Sequence, residues 1–248
     1  PALKQADVGI AMSIKGTDIA RESSDMILLD DNFNSIVLAI KEGRIIYDNI
    51  KKFLKFMFSV NLNEILLILF AILLKLPLPL LPLQILWINL ITDSLPAIAL
   101  SKEPGEKNIM QHPPKNPKEN LLQNTYFYII LGGLLAFLTT LIIFLWEFKT
   151  SGNIEKARTL TLTTGILFQM FFVFSCKSEK SLFKINIFNN KYLIGAVLLT
   201  IILQILVIYS PLNIIFELTP LSIKDWIKIL ILSFSGIVFF EIRKLIKK

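Results

Sequence analysis

Cysteine is nearly absent: Cys176 is the only one in 248 residues, which excludes an internal disulfide and any thiolate metal cluster. It lies near a helix end and reads as a small packing residue. Glycine and proline, at 10 and 11, are too few for a collagen-like or disordered chain. No leader of charged then apolar residues precedes the first long apolar run, and the chain opens on Pro1, so a piece of a longer polypeptide is expected. Repeats and low-complexity segments are also lacking.

Acidic residues are the scarcer charge, 19 against 26 Lys and Arg. Such an excess of base suits nucleic acid in principle, but its placement argues for a bilayer and against a nucleic-acid partner. Lys41, Arg44, Lys51, Lys52 and Lys55 precede the first apolar run. Lys102, Lys107, Lys115 and Lys118 follow the second, Lys177, Lys180, Lys184 and Lys191 follow the fourth, and Arg243, Lys244, Lys247 and Lys248 close the chain. The alternate connections hold fewer: Lys75, then Lys149, Lys156 and Arg158, then Lys224. By the positive-inside rule both termini face the cytoplasm. Trp87, Trp146 and Trp226 then fall at outer span ends, where an amphipathic ring is favoured.

What the sequence does have is apolar length, with 54% hydrophobic residues. Runs at 56–74, 81–100, 126–146, 160–174, 192–208 and 226–240 approach or reach the roughly 20 residues a helix needs to cross a bilayer. Six transmembrane helices in an all-α polytopic bundle are therefore expected, the fourth and sixth being short. Pro77, Pro79 and Pro82 make a tight outer hairpin between the first two.

The first 34 residues differ from the rest. Short apolar stretches at 8–12 and 26–29 flank a charged segment that Thr17 can cap, a strand–helix–strand pattern with a buried parallel strand at its end. This piece is too small to hold a core alone. From Asn34 to Leu74 one long helix is expected, carrying an apolar face through Ile36, Ile40, Ile46 and Ile50 into the first span, with Gly43 as its weak point. Such a stalk would couple a soluble lobe to the membrane.

Strongly polar side chains at bilayer depth cost about 2.5–3.5 kcal/mol each on insertion scales, so they need a reason to be there. Glu64 and Asp93 fall near mid-span. Asn61 shares a helix face with Glu64, and Asn89 shares one with Asp93, with Thr92 alongside. Pro96 cannot donate to the Thr92 carbonyl, which frees a backbone oxygen beside Asp93. Broken helices that expose carbonyls at the midplane are a recurring ion-binding device. Carboxylate, amide, hydroxyl and carbonyl oxygens without His, Cys or Lys suit a hard cation. Asn61, Asn63 and Asn89 could individually serve as interhelical hydrogen bonders instead. Glu147 and Glu217, at span ends within reach of water, are weaker candidates.

Three ordered motifs carry a family resemblance. The opening Pro1–Met12, with Gly16-Thr17-Asp18 and Ser24-Asp25-Met26, resembles the end of the phosphorylation domain of type II P-type ATPases. Tyr47-Asp48-Asn49-Ile50-Lys51-Lys52 resembles their fifth-helix stalk, and the segment from Leu86 to Ala97 (LWINLITDSLPA) their sixth membrane helix. The resemblance implies a truncated α/β fragment of haloacid-dehalogenase-like (Rossmann-like) fold over 1–34, a cytoplasmic stalk over 35–55, and the fifth to tenth family helices over 56–248. For calcium pumps of this class it implies cation ligands at Asn61, Glu64, Asn89, Thr92 and Asp93. Gln169 stands where the sarcoplasmic type has Glu, as in the plasma-membrane type, which is similar to pumps moving one calcium ion per cycle. Gln169 could equally be a plain interhelical hydrogen bonder. Asn63 replaces a small Gly, and Ser94 a Gly.

The same resemblance implies that an intact parent uses ATP and Mg²⁺, exports Ca²⁺ through an aspartyl phosphate, and carries protons back on Glu64 and Asp93. Neither the Asp-Lys-Thr-Gly-Thr nor the Thr-Gly-Asp-Gly-x-Asn-Asp motif of that chemistry occurs here. Asp7 and Asp18 read as loop or cap acids, so no catalytic residue is assigned and this piece alone should be inactive. The expected partners are the lipid bilayer, the transported cation and the missing N-terminal part of the same polypeptide. The expected location is the plasma membrane, as a multi-pass protein. A pump for Na⁺, H⁺ or Mg²⁺, or a non-enzymatic channel or split subunit, are the alternatives.

Overall fold

The computed structural model describes residues 1–106, 108–116, 119–123 and 125–246. Lys107, Lys118, Lys247 and Lys248, which enter the charge argument, lie outside the described residues. The chain divides into two compact bodies, Pro1–Asp48 with Gly105–Pro114, and Asn49–Pro104 with Lys115–Lys248.

In the first body a short helix α1 (Ala2–Gln5) precedes strand β1 (Ile10–Met12), helix α2 (Asp18–Glu22) and strand β2 (Met26–Leu28). The strands pair in parallel, with Ile10 opposite Met26 and Met12 opposite Leu28. The strand–helix–strand order holds, but β2 is not the buried strand expected, since Ile27 is 42% exposed and only Leu28 is buried, and α1 has no counterpart in that reading. Thr17 caps α2 by accepting from the Ala20 N–H at 3.2 Å. Carboxylates close the turns: Asp25 accepts from Gly9 N–H at 2.8 Å, and Asp31 from the N–H groups of Ile14 and Lys15 at 2.9 and 2.8 Å. The Ile14 bond leads in holding the Asp31 carboxyl below the usual range. The Arg44 guanidinium donates to the carbonyls of Ile109 and His112 at 2.9 and 2.7 Å, which ties the returning loop to its helix.

That helix, α3 (Asn34–Leu73), is continuous over 40 residues, as expected from a segment with no proline. After the proline-rich hairpin, the next apolar run contains α4 (Pro82–Trp87), a π-helical turn at Ile88–Thr92 and α5 (Ser94–Ser101). There follow α6 (Tyr126–Ser151), α7 (Ile154–Lys177), α8 (Lys191–Tyr209), a single turn α9 (Leu212–Ile215), α10 (Ile223–Ser233) and α11 (Ser235–Ile246).

Among the described residues five segments are long and apolar enough to cross a membrane: α3, Pro82–Ser101, α6, α7 and α8. The fourth run is not short, because polar residues at both ends of α7 extend it to 24 residues. Those ends are secured by Asn153, which caps the Lys156 N–H at 3.0 Å, and by Lys177, whose ammonium donates to the Ile187 carbonyl at 2.8 Å.

The sixth run is not one helix but two, of 11 and 12 residues, meeting at Phe234. Ser233 turns its hydroxyl to the Thr164 carbonyl at 3.1 Å and Ser235 to the Leu232 carbonyl at 2.7 Å, competing with the ladder. Gly236 sits so close to α7 that a Cβ there would stand 3.0 Å from the Phe168 carbonyl oxygen. Kinks at Gly/Ser pairs have this cause.

The second body packs around α7, which is buried along most of its length against α6, α10 and α11. One core cluster gathers Phe56, Tyr128, Phe168, Phe172 and Phe240. A second gathers Leu67, Phe137, Leu160, Ile166 and Ile229. The interface of α3 with α6 depends on Gly133, where a Cβ would approach Leu62 Cβ to 2.8 Å. Leu62 Cβ is fixed to its backbone and cannot rotate away.

Gly133→Ala is therefore expected to destabilise the folded chain by about 1–3 kcal/mol through overpacking. Gly195→Ala, at a helical site with nothing within 4 Å, should stabilise it by roughly 0.5–1 kcal/mol. Thermal unfolding of the two variants in detergent checks the opposite signs.

Candidate functional site

Six acids of the second body are buried: Glu64, Asp93, Glu103, Glu147, Asp225 and Glu241. Four have a lysine. Glu103 pairs with Lys177 at 3.4 Å, and Glu241 with Lys244 at 3.1 Å. Glu147 lies 3.0 Å from Lys156 and 3.2 Å from Lys228, and Asp225 lies 3.1 Å from the same Lys156. Glu64 and Asp93 have none among the described residues.

Asp93 is 0% exposed, and neither of its carboxylate oxygens has a hydrogen-bond partner. Glu64, 7% exposed, accepts one bond at Oε2, from Asn89 Nδ2 at 2.8 Å, while Oε1 is unpartnered. The bond from Asn89 ties Glu64 to the helix segment that leads into Asp93, four residues on. A buried ionised carboxylate without a partner is among the costliest arrangements a fold can hold. Three such oxygens on two segments linked by the Glu64–Asn89 bond read as a site built for something positive.

The local backbone explains the placement. The Asp93 N–H bonds to the Ile88 carbonyl at 2.9 Å, five residues back, so the ladder is widened in the turn before the aspartate. Side chains take the neighbouring carbonyls: Asn89 Nδ2 donates to Ile85 O at 3.0 Å, Thr92 Oγ1 to Ile88 O at 3.1 Å, and Ser94 Oγ to Asn89 O at 2.8 Å. Pro96 then has no N–H for the Thr92 carbonyl. The break was expected at Pro96 alone, but it begins a turn earlier. The signal that could have found it is Asn89, Thr92 and Ser94, three residues that compete with the helix ladder. Single π turns of this kind are frequent at functional sites.

The structure joins Glu64 to Asn89 by a hydrogen bond, and Asp93, fully buried like its chain neighbour Thr92, follows Asn89 by four residues on the same broken helix. It does not join Asn61 to them by any hydrogen bond among the described residues. The Asn61 amide donates instead to its own helix, at the Met57 carbonyl, 2.8 Å away. Its neighbours Phe58, Leu62 and Ile65 line a groove with Leu122, Tyr126 and Ile129. Gln169 is 1% exposed with an unpartnered Oε1, one turn beyond Gly165, whose added Cβ would face Thr140 of α6 at 3.4 Å. Other unpartnered buried oxygens, on Thr164, Ser175 and Thr200, are hydroxyls that carry no charge.

Asn63 takes the structural role open to the membrane asparagines: its Oδ1 accepts from Thr140 Oγ1 at 3.0 Å and joins α3 to α6. Glu147 and Glu217 are accounted for by ion pairs, Glu217 with Arg158 at 3.9 Å. Trp87 is tied into the bundle through Nε1 to Gln204 Oε1 at 3.0 Å. Cys176 is fully buried, as a packing residue should be.

Two neighbouring helices thus offer a dehydrated set of hard oxygen donors. No cluster of three or more His, Cys, Asp or Glu occurs among the described residues, so amide, hydroxyl or carbonyl oxygens have to complete any coordination here. Residues 77–246 match the model of the family described as cation transporting ATPase, C-terminus. The chain belongs to that family. It is 45% identical over 243 residues to a calcium-transporting ATPase of Bacillus subtilis, matching 97% of this chain and 27% of that protein. It is 40% identical over 250 residues to the human calcium-transporting ATPase type 2C member 1, and 37% identical over 295 residues to a calcium-transporting ATPase of Plasmodium falciparum. All of this chain is covered in both, against 27% and 24% of those proteins. The chain spans about a quarter of the length of these relatives.

Asn63 and Thr140 should show a coupling of about 0.6–2 kcal/mol in a double-mutant cycle of Asn63→Ala and Thr140→Val. Asn61→Ala with Thr140→Val should be additive within about 0.5 kcal/mol. Denaturant unfolding of the three single variants, the two double variants and the parent in detergent measures both terms.

Proposed function

We propose that this chain is the C-terminal membrane part of an ATP-driven calcium pump, and that Glu64, Asn89 and Asp93 hold the transported ion. The observation carrying this reading is that these two acids, alone among the buried acids described, lack a lysine and keep three oxygens unpartnered. Thr92, Gln169 and Asn61 are further oxygen donors. Thr92 is nearest in the chain to Asp93, while Gln169 and Asn61 need a rotation of the side chain or a movement of helices to reach the ion. The similarity to proteins named calcium-transporting ATPases supports calcium over Na⁺, H⁺ or Mg²⁺. No observation favours a passive channel or a separate subunit.

In this reading the last two helices together make a sixth span, residues 1–34 are the end of a haloacid-dehalogenase-like phosphorylation domain, and 35–55 form the stalk to the membrane body, 56–248. Both termini face the cytoplasm of a plasma-membrane protein. The missing N-terminal part of the same polypeptide binds ATP and Mg²⁺ and carries the phosphorylated aspartate. This chain's own share of the cycle is to desolvate and release the ion. Lipid-depth packing around α7 excludes water, the π turn lets Asp93 and Asn89 move relative to α4, and Asn89 holds Glu64 in place while the ion is absent. After release the two carboxylates take up protons that balance part of the charge carried out.

Asp93→Asn removes one of the two charges while keeping shape. In the full-length polypeptide it should raise the calcium concentration for half-maximal phosphorylation by about two orders of magnitude. Phosphorylation by ATP across a calcium series checks this, with Na⁺, Mg²⁺ and pH series on the unmodified protein. Calcium-dependent phosphorylation left intact in Asp93→Asn would remove the assignment, and stimulation by one of the other ions would replace calcium.

A further inference from the structure

The break that frees Asp93 raises a second problem, because α5 cannot inherit its position from α4 through a widened turn. An eight-residue helix is about 12 Å long and has to be fixed from its far end. That end meets a buried polar cluster. Glu103, just beyond α5, accepts from Asn190 Nδ2 at 2.9 Å and lies 3.4 Å from the Lys177 ammonium. The same Asn190 amide donates to the Ala99 carbonyl at 2.9 Å, while its Oδ1 caps α8 at the Leu193 N–H, 3.0 Å away. From α3, Asn49 Nδ2 donates to the Glu103 carbonyl at 2.7 Å and to the Ser101 carbonyl at 3.2 Å. All four side chains are buried, Lys177 to 3% and Glu103 to 7% exposure.

The cluster does two things at once. It gives amide donors to the carbonyls at the end of α5, where a helix leaves them orphaned. It also joins, through Asn49, the helix that carries Asp93 to the helix that carries Glu64. These are the two elements whose separation sets the spacing of the unpartnered carboxylates.

We infer that Glu103, with Lys177, Asn190 and Asn49, is a positioning residue for the cation site: it fixes the lower end of α5 and so the distance between Asp93 and Glu64. This rests on the proposed reading of Glu64 and Asp93 as cation ligands. Glu103 never touches the ion. Neutralising it loosens α5 and makes the site pay more of its binding energy to order itself, so affinity falls while the turnover of loaded pump is kept.

The test is calcium-dependent ATP hydrolysis by the full-length polypeptide carrying Glu103→Ala, and by the double variant Glu103→Gln with Lys177→Gln. The double variant leaves no unpaired buried charge and keeps an acceptor for Asn190. The calcium concentration for half-maximal activity should rise about fivefold in Glu103→Ala and less in the double variant, with maximal turnover per folded molecule retained. Should Glu103→Ala fail to fold, the double variant decides alone, a rise beyond twofold being the expected result. An unchanged half-maximal concentration in the folded variants, whether or not turnover falls, overturns the inference, since a merely structural role lowers only the amount of working protein. A lack of calcium response in the unmodified protein sinks the proposed function instead.

Discussion

A carboxylate taken out of water demands a positive partner or a set of donors, and among the described residues the bundle meets that demand at every buried acid except Glu64 and Asp93. Glu103, Glu147, Asp225 and Glu241 are each held against lysine. Glu64 has a single amide and Asp93 has nothing. The π turn, the proline and the three side chains that draw off backbone carbonyls all lie within a few residues of Asp93. They weaken α4–α5 at the position of the unpartnered aspartate, and in the proposed reading the ion site is what that weakness serves.

Around the break the fold is built to be stiff. α7 runs through the centre with its threonines bonded back to their own helix, Thr159, Thr161 and Thr163 each reaching the carbonyl four residues earlier at 2.8 Å. Hydroxyls that donate in this way keep their lone pairs free to accept from neighbours, as Thr159 does from the Thr219 N–H at 2.9 Å and Thr163 from Gln204 Nε2 at 3.2 Å. Further along α7, aromatic rings from α3, α6 and α11 pack with Phe168 and Phe172. Charge is gathered at the two ends of α7, where Lys156 and Lys228 bridge Glu147 and Asp225, and Glu179, just past its last residue, meets Lys55 at 2.6 Å beside the Tyr128 ring. Between these charged ends the two unpartnered acids are the exception that the rest of the packing isolates.

Much of this was legible in the residues. The uninterrupted run from Asn34 shows α3 because no proline breaks it and its apolar face continues into the span. The paired apolar stretches around Thr17 show a parallel strand pair joined by a capped helix. Glu64 and Asp93 stand out because charge at bilayer depth is costly. What sequence could not supply is direction in space. Asn61 and Glu64 are three residues apart on α3, yet the Asn61 amide turns to Met57 while Glu64 meets Asn89. The split at Phe234 was hidden because Ser233 and Gly236 act through contacts with Thr164 and Phe168, some 70 residues away in the chain. The lysines that neutralise the four other acids were equally invisible, since none but Lys228 and Lys244 shares a helix with its acid.

The central claim is that one cation sits between Glu64 and Asp93, and locating that ion directly is the most severe test of it. Anomalous scattering from crystals of the full-length polypeptide grown in calcium would do so. The account predicts a peak within about 2.3–2.6 Å of carboxylate oxygens from both residues. A peak elsewhere in the bundle, with Glu64 and Asp93 turned apart, would contradict it.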